Sequence, residues 1–425
     1  PAAQDLVLDV DVAAVNARFG DELKKVLPAV PNIAKRRYGI GNETYDKGFE
    51  GAARFLAEDL GLLLADVKGV HVDAGLSETT GVDLKLRIDF ASGAKSWLAK
   101  SLLASPSLSV PQLLWDGPGD ADSSWFGTSG DPSGYAELVK AAKALIVGAL
   151  EKDKVGSDAE RKKLAALLDL PIVKGTTMVA YGGTQRVTPA AKPKTSKEKW
   201  QAGFDQLTGW YLFGVQQKAE PWAKWLKDGV AAFNQPGIQK SVKAVLGGSE
   251  TLALKSVAAP KPLGKGAFAV ELGFSSKTDK TEGTLHLLLL PDGDSSWIGI
   301  GFDRGELVER LLRAKEGKAS LKDRADLSPL RQGSVSSAGF MTLRSFRSSA
   351  FSLMLMRKPE PAQAPEEAML ATLAEADKLF DGLPGKGRAP AYLRASGTPS
   401  SVSVDLTLGK AVFDDVRALV KSFQR

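Results

Sequence analysis

One six-residue phrase occurs twice in this chain, as Asp-Ser-Ser-Trp-Phe-Gly at 122–127 and as Asp-Ser-Ser-Trp-Ile-Gly at 294–299. The segments around the two copies match in kind and in order. The corresponding pairs are alternating strands at 81–90 and 267–276, helical patterns at 134–150 and 305–317, turns before small-residue strands at 168–185 and 325–343, and strands at 209–215 and 389–397. Several features in one order predict an internal repeat whose loops differ in length.

The repeat predicts an α+β fold. We expect two similar modules with antiparallel sheets, helices packed on one face and a pseudo-twofold relation between the halves. The strand and amphipathic helix at 209–233 have the same form as those at 5–27, so the second module begins near residue 206. The predicted segments are a first repeat module at 1–205, a second at 206–388 and a closing strand-strand-helix segment at 389–425.

Composition places the chain in the soluble globular class and removes several function classes. Its 425 residues are 43% hydrophobic and 25% charged, and this length favours two domains. The net charge of +6 comes from Lys and Arg scattered among nearly as many acids, unlike the basic stripe of a nucleic-acid-binding protein. Cysteine is absent, which excludes disulfides, thiolate zinc sites, Fe–S clusters and a Cys nucleophile. No apolar run is long enough to predict a transmembrane segment.

Two interpretations of the repeated phrase compete. In the first, its Asp, Ser and neighbouring Gly residues form a hairpin turn, and Trp125 and Trp297 begin the return strand as buried core anchors. In the second, two pairs of carboxylates bind Ca²⁺. These are Asp120, Asp122, Asp292 and Asp294. Calcium takes roughly six to eight oxygen ligands, and the loop pattern that ends in a bidentate Glu is absent, so the turn is favoured.

The two histidines do not predict a catalytic site. His71 and His286 each fall in or beside a predicted strand, and neither can form the His pair of a zinc hydrolase. A Ser-His-Asp triad would need a serine and an acid to converge from elsewhere, and no Gly-x-Ser-x-Gly elbow is present. Paired carboxylates from distant positions stay open as an alternative. The sequence therefore nominates no catalytic, cofactor-binding or metal-binding residue, and no cofactor.

Two glycine-containing stretches and one aromatic helix each have a structural and a functional interpretation. The stretch 36–51 holds four glycines near two arginines but lacks phosphate-loop spacing, so we expect a loop with a surface specific to this half. At 262–268 we expect a turn before a strand. Trp222 and Trp225 share one face of a predicted helix, with Phe233 further along, which favours a core stripe over a partner-binding or membrane-touching face.

The opening segment "DLVLDVDVAAVNARFGDELKKVL" at 5–27, a strand followed by an amphipathic helix, resembles the start of internally duplicated envelope proteins and lipoproteins of GC-rich bacteria, including myxobacteria, whose function is uncharacterised. The resemblance is one of layout and implies a periplasmic or cell-surface location. The numbered chain begins with Pro1, so we expect an export signal to have been removed, and a lipid anchor would lie before residue 1. The resemblance implies no catalytic residues.

Three functions remain as hypotheses. The first is a non-enzymatic, exported envelope protein that acts as a scaffold or protein-interaction module, with another envelope protein as its partner and no nucleic acid. The second is a carrier of lipid or another apolar ligand held between helices and sheet. The third is an unrecognised hydrolase that uses carboxylates. The first is the function that the sequence favours.

Overall fold

The computed structural model describes residues 6–77, 79–104, 107–187, 192–247, 249–278, 280–347 and 365–423. A single sheet of thirteen antiparallel strands forms its framework, in the order β1-β2-β3-β13-β12-β11-β4-β5-β6-β10-β9-β8-β7. In chain order, the strands β1 to β13 are Leu6–Asp11, Val67–Ser77, Gly81–Phe90, Ser123–Thr128, Thr177–Gly183, Trp210–Val215, Glu250–Val257, Phe268–Ser276, Thr281–Asp292, Ser295–Gly301, Ser337–Met341, Ala391–Gly397 and Ser401–Gly409.

Helices connect many of the strands. In the described ranges, the helices α1 to α13 are Val12–Val26, Val30–Tyr38, Glu43–Asp66, Trp97–Leu103, Gln112–Asp116, Ala136–Lys152, Asp158–Ala165, Ser196–Thr208, Ala219–Phe233, Pro236–Val245, Arg304–Glu316, Pro365–Asp381 and Lys410–Phe423. Their starts follow ordinary capping chemistry: Asn42 caps α3, and the pair Thr195 and Glu198 forms a capping box at α8. None of these helices combines the length and apolar character that crossing a bilayer requires.

The mixed α+β class with antiparallel pairing is confirmed. The strands of the three predicted segments form one sheet, because β11, β12 and β13 lie between β3 and β4 of the first segment. The boundaries 1–205, 206–388 and 389–425 stay predictions. The expectation that helices pack on one face is wrong. Along β9, Leu288 and Leu290 pack with α11, whereas Leu287 and Leu289 pack with α9 on the opposite face.

Two hydrophobic cores lie on opposite faces of the central strands and of the strands towards the β7 edge of the sheet. On one face, residues of β4, β5, β6 and β11 pack under α5 and α11, with Leu212, Ala338 and Leu311 completely buried. On the other face, α9 covers β8, β9 and β10 through Trp222, with Trp225 packed beside it. The predicted core stripe of that helix is therefore confirmed. A third core lies between the helices α1, α3 and α4 and the strands β2, β3 and part of β13.

The two copies of the repeated phrase adopt different local structures. In the second copy, Asp292 pairs with Ser295 across a two-residue hairpin turn, and Gly293 supplies the positive φ of +60° that this turn requires. In the first copy, the apolar run before the phrase is the helix α5 instead of a strand, and β4 pairs with β5 and β11. The hairpin prediction is confirmed at the second copy and wrong at the first.

The two tryptophans of the phrase also differ, in how deeply they are buried. Trp297 is 1% exposed in the core, and its Nε1 donates to Asp292 Oδ2 at 3.1 Å. Trp125 is 38% exposed. The prediction of a buried anchor is confirmed for Trp297 and wrong for Trp125. The difference arises because successive strand residues face opposite sides of the sheet, and Phe126 takes the core side in β4.

Other local predictions have mixed outcomes. The stretch 36–51 is mostly helical, because α3 begins at Glu43, so the predicted loop is confined to a few residues around Gly41, whose φ is +75°. The turn within 262–268 is confirmed by positive φ angles at Gly264 and Gly266. The sequence also contains two stretches rich in Pro, Ala and charged residues, at 188–199 and 358–367, which predict exposed loops. Both stretches lie partly outside the described residues.

The different burial of the two tryptophans predicts different stabilities. Trp297→Ala is expected to lower the free energy of unfolding by about 3–5 kcal/mol, because it leaves a cavity in the core. Trp125→Ala is expected to cost less than about 1 kcal/mol, because its ring is already partly hydrated. Urea denaturation of the two single variants measures both values. Equal losses would show that Trp125 is a core residue after all.

Candidate functional site

The four carboxylates that were weighed as calcium ligands are occupied by protein donors or face solvent. Asp120 contacts Arg310 at 3.1 Å. Asp122 is 3% exposed and accepts from the backbone N–H and the hydroxyl of Thr184. Asp292 accepts from Trp297, and the side chain of Asp294 is 91% exposed. Among the described residues, no group of three or more His, Asp or Glu side chains is arranged to hold a metal ion.

Both histidines lie in strands, as predicted, and neither approaches a serine hydroxyl within hydrogen-bond distance in the described structure. His71 of β2 bridges to Asp9 of β1 and, at 3.0 Å, to Asp89 of β3. The hydrogen bond that His71 Nδ1 donates to the Asp9 carboxylate is the largest cause of the raised pKa of His71. His286 of β9 is largely buried near Glu271, and burial lowers the pKa of His286. His71 ties neighbouring strands together, and His286 lies beneath α8.

Sequence-based reasoning missed an apolar surface at the centre of the sheet, which the helices of the described ranges leave partly open to solvent. Residues paired across neighbouring strands share a face, and one such row runs Leu393, Gly339, Trp125, Ala180, Phe213 across five strands. A second row places Met341, Ser123, Gly182 and Tyr211 beside it. We call Trp125, Tyr211, Phe213, Met341 and Leu393 the aromatic face.

On the same face of the sheet, covering helices lie on both flanks of the aromatic face. The helix α9 covers β8 to β10, and α1, α3 and α4 cover β2 and β3. Over the central strands, Tyr211 is 48% exposed and Met341 is 47% exposed. The result is a groove of about 370 Å³ whose lining is almost wholly apolar.

Gly339 and Gly182 allow the rings of Trp125 and Tyr211 to lie against the sheet. A Cβ added to Gly339 would overlap Ser124 O and come within 2.7 Å of Trp125 Cε3, so only glycine fits opposite Trp125. A Cβ added to Gly182 would come within 3.4 Å of the Tyr211 ring. The rings therefore lie against the strands beside them, which leaves broad apolar surfaces open to solvent.

A buried charge network lies at the end of the same strands, on the opposite face. Its members, which we call the Arg310 network, are Asp120, Arg186, Asp205, Asp303, Glu306 and Arg310. The Arg310 side chain is completely buried, contacts Asp120 and Glu306, donates to Gln185 O and lies 4.3 Å over the Trp210 ring. Arg186 bridges Asp205 of α8 and Asp303. The network fixes the chain after β5 to α8 and α11.

The Arg310 network contains four acids and two arginines, and the pKa values of two of the acids are raised. Burial raises the pKa of Asp205 to about 6, although Arg186 opposes the change, and the charges of Asp303 and Glu306 raise the pKa further. Burial also raises the pKa of Asp120, against the attraction of Arg310. These acids are held by arginines that position the backbone.

Comparisons with protein-family models, with curated protein sequences and with solved structures found no match for this chain. The interpretation of the aromatic face and of the Arg310 network therefore rests on their geometry alone.

The raised Asp205 pKa predicts a measurable pH dependence of stability. Between about pH 4 and 6, the folded protein holds a proton on Asp205 that the unfolded chain has released, so the folded state gains stability as the pH falls through this window. Relative to Asp205→Asn, the wild-type free energy of unfolding is expected to rise by on the order of 2 kcal/mol between pH 7 and pH 4.5. Urea titrations at several pH values measure it.

The exposed Asp228, which pairs with Lys224 on the surface of α9, supplies the control for this measurement. Asp228→Asn is expected to follow the wild-type pH profile, because an exposed ion pair contributes little. Parallel profiles for wild type and Asp205→Asn would show that Asp205 titrates as an ordinary surface acid.

Proposed function

We propose that the protein is a non-enzymatic interaction protein that presents its aromatic face to an apolar segment of a partner protein. The proposed setting is the bacterial cell envelope, in the periplasm or at the cell surface, and it rests on the sequence resemblance of residues 5–27. In this proposal the internal repeat is a duplicated scaffold, and only the first Asp-Ser-Ser-Trp copy contributes a residue, Trp125, to the binding surface.

The observation that carries the proposal is the exposure of large apolar side chains over the central strands. Trp125, Tyr211 and Met341 are each exposed by 38% or more, and a contiguous apolar surface of this kind marks an interaction site. Trp, Tyr, Phe and Met are the residues enriched at the centres of protein interfaces. Trp and Tyr also contribute most strongly when an interface is truncated to alanine.

A protein partner suits the aromatic face better than a small apolar ligand. Carrier pockets enclose roughly 70–90% of their ligand surface, whereas this groove is open over half-exposed rings. The carrier remains the second candidate, because the volume of about 370 Å³ lies within the usual range for ligand pockets. The carboxylate hydrolase has less support, because Asp120 and Asp205 are both bound by arginines.

Site-specific photo-crosslinking in the native cells tests the proposal. A benzophenone amino acid replaces Tyr211 in one variant and Val245, which is 81% exposed on α10, in the control. We expect the label at position 211 to give one defined adduct with another protein, and the label at 245 not to give it. Adding Trp125→Ala to the first variant is expected to reduce the adduct at least tenfold, while thermal unfolding changes little.

Three results would overturn the proposal. Equal adducts from positions 211 and 245 would mean that contact is non-specific. An adduct of two copies of this chain would make the aromatic face a self-association surface. No protein adduct, together with a small apolar molecule that accompanies the wild type and is lost in Trp125→Ala, would favour the carrier.

A further inference from the structure

The aromatic face lies in an interruption of the helix layer on its side of the sheet. On one flank, α9 packs over β8 to β10, and its core reaches Val215 of β6. On the other flank, α4 packs in a core with Val402 of β13. Between β6 and β13 lie β5, β4, β11 and β12. Apart from Met178, the side chains that these four strands direct to this side belong to none of the hydrophobic cores of the described residues. We call this interval the helix gap.

The dimensions of the helix gap match those of two helices. Neighbouring strands are about 4.8 Å apart, so four strands span roughly 19 Å. Packed helices lie about 8–10 Å apart, so two helices side by side fill this width. The four strands contain five to seven residues each, and a helix of about 15 residues is as long as the longest of them. The helix α9 beside the gap has 15 residues.

The floor of the helix gap is apolar and even. The Trp125 ring lies over Gly339, and the Tyr211 ring lies beside Gly182. Ala180 occupies the row between Trp125 and the next strand. The floor therefore presents ring faces and small residues, which suits the broad apolar stripe of an amphipathic helix.

The backbone of the floor has no free edge. Each of the four strands is hydrogen-bonded to a neighbour on both sides. An occupant cannot extend the sheet here, and an extended segment on the floor would leave its own N–H and C=O groups unpaired against an apolar surface, which costs free energy. An α-helix pairs these groups internally. The chain itself covers the same side of the sheet in this way, through Trp222 and Leu226 of α9.

The floor is also recessed. The helices on both flanks rise above this side of the sheet by roughly one helix diameter, about 10 Å. A flat lipid surface would rest on those helices without reaching Trp125. A second copy that presented the same face would meet the first copy through its own flanking helices. An occupant must therefore project its own elements into the gap.

We propose that the helix gap is filled by a pair of amphipathic α-helices of the partner protein, each about 15 residues long. Their apolar residues, spaced three and four apart, cover Trp125, Tyr211, Met341 and Leu393, and the pair completes the helix layer between α9 and α4. This inference rests on the proposed function, because it specifies the partner segment that the aromatic face binds.

The test uses the purified full chain and two synthetic peptides of 15 residues. Both contain the same numbers of leucine, lysine and glutamate and have no net charge. One places leucine at helical spacing, and the other alternates leucine with charged residues. Isothermal titration calorimetry is expected to show two copies of the helical peptide bound per chain, at least tenfold more tightly than the alternating peptide. Circular dichroism is expected to show a gain of helix on binding.

Single substitutions locate the binding site. Trp125→Ala is expected to weaken binding of the helical peptide at least tenfold, because an interface tryptophan contributes strongly. Val245, which is 81% exposed on α10, supplies the control, and Val245→Ala is expected to bind like the wild type. Thermal unfolding of both variants checks that the fold is retained.

Four results would overturn the inference. These are equal binding of the two peptides, binding of the helical peptide that Trp125→Ala leaves unchanged, flotation of the wild type but not Trp125→Ala with phosphatidylglycerol vesicles, and a dimer in analytical ultracentrifugation that Trp125→Ala abolishes. The vesicle result would make a membrane the occupant, and the dimer result would make it a second copy of this chain.

Failure of this inference is distinguishable from failure of the proposed function. Specific binding of the helical peptide without any protein adduct from position 211 in cells would reject the proposed partner and support the fit of helices to the gap. A defined adduct in which the crosslinked partner residues are spaced two apart would support the proposed function and reject a helical occupant.

Discussion

The antiparallel pairing of β4 with β11 is the constraint on which the rest of the structure depends. It joins a strand that contains the first copy of the repeated phrase to a strand more than two hundred residues later in the chain. Gly339 makes the pairing possible, because any side chain there would collide with Ser124 O and the Trp125 ring. With this register in place, Phe126 and Ala338 face the core, and Trp125 lies on the opposite face.

The aromatic face follows from that register. It exists because neighbouring strands contribute Trp125, Tyr211 and Met341 to one side of the sheet, over small residues and away from α9. The Arg310 network lies at the end of the same strands, where the buried side chain of Arg310 ties the segments before β4 and after β5 to α11, through Asp120 and Gln185 O.

Sequence reasoning predicted the local elements more reliably than their environments. Alternating apolar residues located strands such as 81–90, and helical spacing located the core stripe around Trp222, because both signals are local. The burial of Trp125 was predicted wrongly because an identical phrase does not fix which strands pair beside it. The apolar run before that phrase forms α5 in one copy and β9 in the other, which shows how tertiary context decides short apolar segments.

A signal for the aromatic face was present in the sequence. Trp125 and Phe126 are consecutive residues of one strand, as are Trp210 and Tyr211, so each strand must place a large ring on both sides of the sheet. Whether helices cover both sides depends on contacts between distant segments. The Arg310 network had no comparable signal beyond the local pair of Glu306 and Arg310, because Arg310 occupies a helical position with a polar pattern. The network members Asp120, Arg186 and Asp205 lie more than a hundred residues before Arg310 in the chain.

Hydroxyl-radical footprinting with mass spectrometry tests the central claim most directly. The account predicts rapid oxidation of Trp125, Tyr211 and Met341 in the purified protein, slow oxidation of the buried Trp297, and protection of the first three residues in intact cells, where the partner is present. If Trp125 and Tyr211 are already protected in the purified monomer, the face is covered and the account is contradicted. Equal oxidation in purified protein and in cells would also contradict it, because nothing would then occupy the face.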